Sequence, residues 1–430
     1  MRVDFRYRQS FFAMSLQSRL LNVAEVVTTE AIITLNAESN GVQTLSKSSD
    51  TRQSLTAFAK EEAHRLGFDL VGVTTPDAPP HMEVYRRWLA QGHHAGMQYM
   101  ASERAISHRE KPRMILPECK SILVTGTFYI NPESQNRKDN TRVKVASYAL
   151  GEDYHLVLTD RLRRLVGSLE AHLGESFPHR TYTDTGPLLE REFAQRSGLG
   201  WIGKNSCLIN PKKGSYFLLA EVMLGLDLIP DQPFTSDHCG NCTRCIEACP
   251  TDCILPNRTI DSSRCISYLT IEEKGAIPPE LRSDLGKWLF GCDICQQVCP
   301  WNLRFAAAST DSAFQPREML RSPDPGRFLE LAPEKWRPPL RNSPLERPRR
   351  VGLVRNACIV AGNSGDPVHI PKLKHLLFSD PDELVRAHAA WALGEIGGRE
   401  SISLLEEALL DEAEESVREE IRCALHSGSV

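Results

Sequence analysis

The chain has no apolar run approaching the roughly 20 residues needed to cross a bilayer, and no clean charged-then-apolar leader ending in small residues. Both absences point to the cytoplasm and away from a membrane protein. No Gly-x-Gly-x-x-Gly fingerprint, Walker loop or His-Glu-x-x-His helix is visible, so dinucleotide binding, phosphate-loop chemistry and zinc-helix hydrolysis have no motif to stand on. A large charge of one sign is also missing. The formal net charge of −4 argues against nucleic-acid binding over the whole surface and leaves room for a local basic patch.

What is present is 430 residues, 41 % of them hydrophobic and 25 % charged, enough for two or three packed domains. Residues 1–50 show weak periodicity and are rich in Ser, Thr and Asn, which reads as a dispensable extension. Arg2, Arg6 and Arg8 offer a transit-peptide reading, against Met14 as an equally good start. From Ser54 to Leu66 the apolar positions Leu55, Phe58, Ala59, Ala63 and Leu66 share a helical face that Gly67 stops. Strands are expected over Leu70 to Thr74 and Ser121 to Thr125, with a further element at Tyr148 to Gly151 and a long helix from about Tyr154 to His172. Pro187 is placed just inside a helix. The segment Gly198-Leu199-Gly200-Trp201-Ile202-Gly203-Lys204-Asn205 marks a loop before the apolar stretch Tyr216 to Leu226. This alternation predicts an α/β domain over 51–230.

Of thirteen cysteines, nine fall between Cys239 and Cys299, eight of them in ligand spacings. Cys239-x2-Cys242-x2-Cys245-x3-Cys249-Pro250 matches the bacterial ferredoxin run, and Cys292-x2-Cys295-x3-Cys299-Pro300 repeats its second half, with Cys265 as an upstream partner. Such spacing lets successive thiolates curl around one cubane, while the cysteine before proline reaches to the neighbouring cluster. Cys239, Cys242, Cys245 and Cys299 then hold one 4Fe-4S cluster, and Cys249, Cys265, Cys292 and Cys295 the other. Structural zinc also uses Cys-x2-Cys pairs, but does not need the Cys-Pro ending that occurs twice here. The block predicts a ferredoxin-like domain over 231–305, stabilised largely by its metal. Cys119, Cys207, Cys253, Cys358 and Cys423 remain as small buried hydrophobes, Cys253 being the one closest in sequence to the ligands.

A Pro- and Arg-rich linker over 306–348 precedes a repeat. Val354-Arg355-Asn356-Ala357, Val385-Arg386-Ala387-His388 and Val417-Arg418-Glu419-Glu420 recur with arginines 31 and 32 residues apart, each copy closing near glycine (Gly362; Gly394 and Gly397; Gly428). That period predicts stacked helix pairs, HEAT-like repeats over 349–430. The chain is thus expected to be multidomain: an α/β domain, a ferredoxin-like two-cluster domain and C-terminal helical repeats. Two clusters make an electron wire whose terminus the residues alone do not reveal.

The terminus comes from a resemblance. Besides the cysteine runs, Tyr148-Ala149-Leu150-Gly151-x-Asp153-Tyr154-His155, Asp184-Thr185-Gly186-Pro187-x2-Glu190-Arg191, Arg264-Cys265-Ile266-Ser267-Tyr268-Leu269-Thr270-Ile271-Glu272 and Gly291-Cys292-Asp293 through Pro300-Trp301-Asn302 are similar to those of the epoxyqueuosine reductases, over residues 52–425. The resemblance implies cobalamin in the α/β domain, in a manner similar to reductive dehalogenases, and removal of the epoxide oxygen of epoxyqueuosine at the wobble position of tRNA. An external low-potential electron donor and a monomeric enzyme are expected with it.

It further implies Asp184 as proton donor, with a carboxyl pKa raised by burial beside the corrin; read alone, Asp184 is a helix cap. Arg109, Tyr148, Lys204, Ser215, Ser267, Cys292 and Asp293 become cobalamin neighbours. Their plain readings are core for Tyr148, turn residues for Ser267 and Asp293, and solvated surface for Lys204. Arg347, Arg349, Arg350 and Arg355 are expected to meet tRNA phosphates, against the reading of a solvated linker, and the acidic last repeat to face away. Two rivals stand beside this: a corrinoid reductase of a small molecule, similar to reductive dehalogenases, for which the repeats have no task, and a non-catalytic electron-transfer protein whose repeats bind a protein.

Overall fold

The structure, a computed structural model, describes residues 39–131 and 143–427. The chain divides into two units, Met1–Ser49 and Asp50–Val430. The extension expected over 1–50 lies, for its first 38 residues, outside the described chain. The sheets, the cysteine block and the helical repeats all belong to the second unit.

The strands are β1 (Leu70–Thr74), β2 (Ser121–Phe128), β3 (Lys144–Val145), β4 (His179–Tyr182), β5 (Trp201–Ile202), β6 (Leu208–Ile209), β7 (Phe217–Leu224) and β8 (Trp288–Phe290). One four-stranded sheet runs in the order β1-β2-β7-β4, and each pairing in it is antiparallel. The expected alternation of helix and strand is present, but the parallel pairing that an α/β reading carries is not. Alternation along the chain does not specify pairing direction. The expected element at Tyr148 is a 3-10 turn, Ser147–Ala149, and the helix expected around Pro187 begins later, at Glu190.

β2 is buried along its whole length, because the sheet is covered on both faces. Leu123, Ala220 and Val222 face the helix Tyr154–Leu173, which buries Leu158, Leu162, Leu165 and Leu169 at i, i+4, i+7 and i+11. Ile122, Val124 and Met223 face the helix Glu190–Arg196 through Phe193 and Ala194. The period-2 alternation of the strands thus assigns each residue to one of two cores. β3 pairs in parallel with β8 and ties this domain to the cysteine block.

The repeats are the helices Arg349–Ser364, Ile370–Ser379, Glu383–Ile396, Gly398–Asp411 and Glu415–Ser427. Their spacing relies on glycine notches: a Cβ at Gly362 would lie 2.8 Å from Trp391, and one at Gly394 would lie 2.8 Å from the Cβ of Ala424. Each notch admits the next helix of the array. Arginine ties join the helices as well, with Arg350 paired to buried Asp380 and Arg386 to Glu412 at 2.7 Å, the two carboxylates 32 residues apart. The segment 306–348 is packed rather than a free linker: Leu320, Phe328 and Leu345 are fully buried, because it supplies the apolar layer between the repeats and Leu150, Leu289 and Phe290. No described helix is long and apolar enough to cross a membrane.

Filling a notch should be destabilising. Gly394→Leu is expected to lower unfolding stability by about 1–3 kcal/mol through overpacking against Ala424, read as a fall in denaturant midpoint; an unchanged midpoint would show that the notch is slack.

Candidate functional site

The cysteines gather as two sets. Cys239, Cys242, Cys245 and Cys299 line one cavity of about 310 Å³ together with Lys204, Asn205, His238 and Trp301. Cys299, the cysteine before proline in the second run, therefore sits with the first run. Cys265 and Cys292 pack against one apolar cluster built on Ile266, Leu269 and Trp288, and the thiols of Cys249, Cys265, Cys292 and Cys295 lie within electrostatic reach of one another. Two further thiols adjoin this second set: Cys253 Sγ lies 3.4 Å from Cys249 Sγ, and Cys207 adjoins Cys295. A void walled by four thiols suits a cubane of four irons better than a single ion.

The glycine-rich loop carries the outer contacts of the first set. Trp201 Nε1 donates to Cys239 Sγ at 3.5 Å, and Lys204 Nζ donates to the carbonyls of Gly240 at 2.7 Å and Cys242 at 3.0 Å. Lys204 is thus half-buried and bound to the loop of the first set. Ser215 is wedged between domains, accepting from Gln296 Nε2 at 3.0 Å and Asn302 Nδ2 at 2.9 Å.

A second centre forms around Asp184, just after β4. The residue has φ +56°, a left-handed conformation unusual without glycine. It caps no helix, since the following helix starts at Glu190 with Leu189 in the cap position. Its side chain is 66 % exposed, so the carboxyl is open to an incoming group. Tyr154 Oη donates to Asp184 Oδ2 at 2.8 Å, and His155 Nε2 lies 3.8 Å from the same oxygen. The other ring nitrogen of His155 lies 2.7 Å from Asp153 Oδ1, and the same Asp153 oxygen caps the helix Tyr154–Leu173 by accepting from the His155 amide at 3.0 Å. One capping residue therefore both starts the helix and aims the imidazole.

These contacts reverse the expected titration of Asp184. Interaction with His155 holds the Asp184 carboxyl below its usual range, with Tyr154 adding to it and burial opposing. For His155 burial works against the charge, but the carboxylates of Asp153 and Asp184 outweigh it and raise the imidazole to about 9. At neutral pH the proton therefore resides on His155. The expectation of a raised carboxyl considers desolvation alone and leaves out the partner.

Tyr148 lies edge-on to Tyr154 at 5.9 Å, and its phenol is pushed upward by burial, with Asp184 and Asp293 adding to the effect. Asp293 is 2 % exposed and accepts from the Ser147 amide at 2.8 Å and hydroxyl at 2.7 Å, so Ser147 bridges the turn bearing Tyr148 to the cysteine block. Arg109 is buried, donating to the Ala105 carbonyl at 3.1 Å with its guanidinium 5.4 Å from the Tyr85 ring. Ser267 lies in the helix Ile266–Ile271 directly after Cys265. Tyr154, His155 and Glu190 stand inside the sequence motifs, yet sequence reasoning assigns them no role; an Asp-Tyr-His run at a helix start is the signal that could have found two of them.

The four arginines expected on tRNA separate. Arg355 is fully buried, donating to the carbonyls of Leu269, Glu273 and Gly275, and Arg350 is buried on Asp380. Neither can meet a phosphate in this arrangement. Arg347 is more than half exposed and makes a two-pronged pair with Glu272 at 2.8 and 3.1 Å, and Arg349 is exposed.

Known proteins supply the context. Residues 109–185 match the family described as "Epoxyqueuosine reductase QueG", residues 238–302 the "4Fe-4S double cluster binding domain" and residues 352–426 "HEAT repeats". The chain is similar to the epoxyqueuosine reductase of Cyclobacterium marinum, 40 % identical over 70 % of this chain and 95 % of that one. To the Pseudomonas aeruginosa enzyme of the same name it is 38 % identical over 78 % of this chain and 92 % of that one. It also matches a crystal structure of epoxyqueuosine reductase with an epoxyqueuosine-modified tRNA-Tyr stem loop, at TM-score 0.81 and 30 % identity over 88 % of this chain and 99 % of that one. A double-cluster module fused to this sheet domain and to helical repeats defines an iron–sulfur oxidoreductase. Within that class, the chain belongs to the epoxyqueuosine reductase family.

The His155 pairs should be visible in stability. Its folded pKa of about 9 stands above the ordinary 6.5, so their stabilisation is complete below pH 6.5 and lost as pH rises through about 9. Allowing for an imidazole that is 34 % exposed, it is worth on the order of 2 kcal/mol. The melting-temperature gap between wild type and His155→Gln should narrow from pH about 6 to pH about 10; a gap indifferent to pH would remove the ion-pair account.

Proposed function

We propose that this chain reduces epoxyqueuosine to queuosine at the wobble position of tRNA, with cobalamin in the sheet domain and electrons delivered through two 4Fe-4S clusters from an external low-potential donor. Family membership over most of the chain carries the reading. Opening and deoxygenating the epoxide consumes two electrons and two protons, leaving an alkene and water. Cobalamin, when bound, supplies a reducible metal for the two-electron step, and the clusters supply electrons singly.

The residues around Asp184 fit such a group. Tyr148, its ring 5.9 Å from that of Tyr154, has Asp184 and Asp293 both within electrostatic reach of its phenol. Tyr148, Arg109, Ser215, Ser267, Cys292 and Asp293 remain the side chains read as its neighbours; Lys204 reads better as an outer contact of the first cluster. His155, charged at neutral pH, supplies the proton, and the Asp184 carboxyl, ionised at rest, passes it to the departing oxygen. Tyr154 fixes which carboxylate oxygen faces His155. Cys239, Cys242, Cys245 and Cys299 hold one cluster and Cys249, Cys265, Cys292 and Cys295 the other. Tyr99, 59 % exposed, stands within electrostatic reach of Arg347, Glu272 and Asp184, so Arg347 is the arginine that reads as a phosphate contact near Asp184, with the exposed Arg349 two residues on.

The deciding experiment is anaerobic turnover: protein reconstituted with iron, sulfide and cobalamin, a strong reductant, and tRNA carrying epoxyqueuosine, with digested nucleosides identified by mass. Queuosine should appear only with cobalamin. Asp184→Ala should lower kcat by about 100-fold or more, in the range of lost general acids. Intact epoxyqueuosine with both cofactors bound would turn the reading toward a small-molecule reductase. Arg347→Glu/Arg349→Glu should weaken tRNA binding and flatten its salt dependence; unchanged binding would move the RNA elsewhere.

A further inference from the structure

Beneath Asp184 lies a second acidic pair that the proton transfer to the departing oxygen does not use. The backbone N–H of Asp184 donates to Glu190 Oε1 at 2.6 Å, and the Thr185 N–H donates to the Thr183 carbonyl at 2.7 Å. Asp184 thus sits at the apex of a tight turn, in a left-handed state that a side chain with a Cβ adopts only at a cost. Such a state persists when the surroundings over-determine it, and the contact from Glu190 to the strained residue's own amide is the bond that does so.

Glu190 is itself held from behind. Its carboxyl adjoins that of Glu221, which lies in β7 opposite Val124 of β2 and Tyr182 of β4, at the middle of the sheet. Glu221 is 0 % exposed, and the group its carboxyl meets is the carboxyl of Glu190. Two carboxyls in contact out of water cannot both be ionised. Burial and then the Asp184 charge push Glu190 up to about 8, Arg191 opposing, and Glu221 goes well above the carboxylate range for want of solvent and because of Glu190. A buried acidic pair in the middle of a sheet is costly to keep and has no apparent task in folding.

We propose that Glu190 is a positioning residue of the reaction: its carboxyl latches the Asp184 turn in the left-handed state that sets the direction of the Asp184 side chain, and the Glu221 carboxyl behind it fixes Glu190 in register. This rests on the reading of Asp184 as the proton donor. It extends that reading, because the donor's geometry is set by a group that never touches substrate.

The test uses reconstituted holoenzyme and two readouts. Glu190→Ala should lower kcat on the order of 10- to 100-fold, as expected for a misplaced catalytic group, with KM for modified tRNA and cluster content unchanged. Glu190→Gln, which retains an acceptor oxygen, should recover most of the loss. Hydrogen exchange at the Asp184 amide, measured without turnover, should be slow in wild type and Gln and fast in Ala. Should Glu190→Ala not fold, Glu190→Met fills the space without an acceptor. Wild-type kcat in Glu190→Ala, equal damage in the Gln and Ala variants, or unchanged exchange at Asp184 would each overturn the proposal. If instead Asp184→Ala kept full turnover, the acid reading would fall, while the exchange measurement would still decide whether Glu190 latches the turn.

Discussion

The arrangement of the second unit depends on one buried contact, that of Arg355 and Asn356 with the backbone of the cysteine block. A guanidinium brings several N–H donors and keeps its charge at any physiological pH, so burying one without a carboxylate requires carbonyl acceptors in place. Here they are Leu269, Glu273 and Gly275, while Asn356 Nδ2 takes the carbonyls of Thr270 and Leu289. Burial lowers Arg355 only to about 10, so it stays charged. These bonds lock the first repeat helix onto the loop after Cys265 and onto β8. Through that lock, Glu272 is in place for Arg347 and Asp293 for the turn bearing Tyr148. The repeats are therefore part of the scaffold of the site around Asp184.

Around Asp184, neighbouring groups are driven apart in acidity by different environments. Asp184 is held down by His155, His155 is held up by two carboxylates, and Glu190 is pushed up by burial. Separation of this kind places a loaded base and a loaded acid side by side near neutral pH. The source of each shift is local: a cap at the start of one helix, the first turn of another, and one carboxyl in the middle of β7.

How much of this was legible in the sequence depends on the range of each interaction. Cysteine spacing, the amphipathic helix from Tyr154 and the repeat of Val-Arg pairs are short-range or periodic, and all are legible. Asp184 was legible through the motif around it. Antiparallel pairing of β1, β2, β7 and β4 was not, since apolar runs mark strands without their direction. Arg350 and Arg355 read as surface charge because arginine usually is; only the carboxylate and carbonyls supplied from distant segments explain their burial. Lys204 was displaced for the same reason, its partners lying in the first cysteine run. Glu221 gave no sign at all: one acidic residue in an apolar strand reads as an edge, and its place at the centre is due to β4 pairing beyond it.

The shared core has a consequence for how the protein is made. Val143, Val145, Ala149 and Leu150 are buried in the same apolar cluster as Leu353, Leu373 and Leu393. On a ribosome those early residues wait, unpaired with their final neighbours, until synthesis has passed the second repeat. Contacts of such long sequence separation are slow to form and leave apolar surface exposed meanwhile. The cysteines of the two runs lie between the two halves of that core, so they leave the ribosome before the core around them can close.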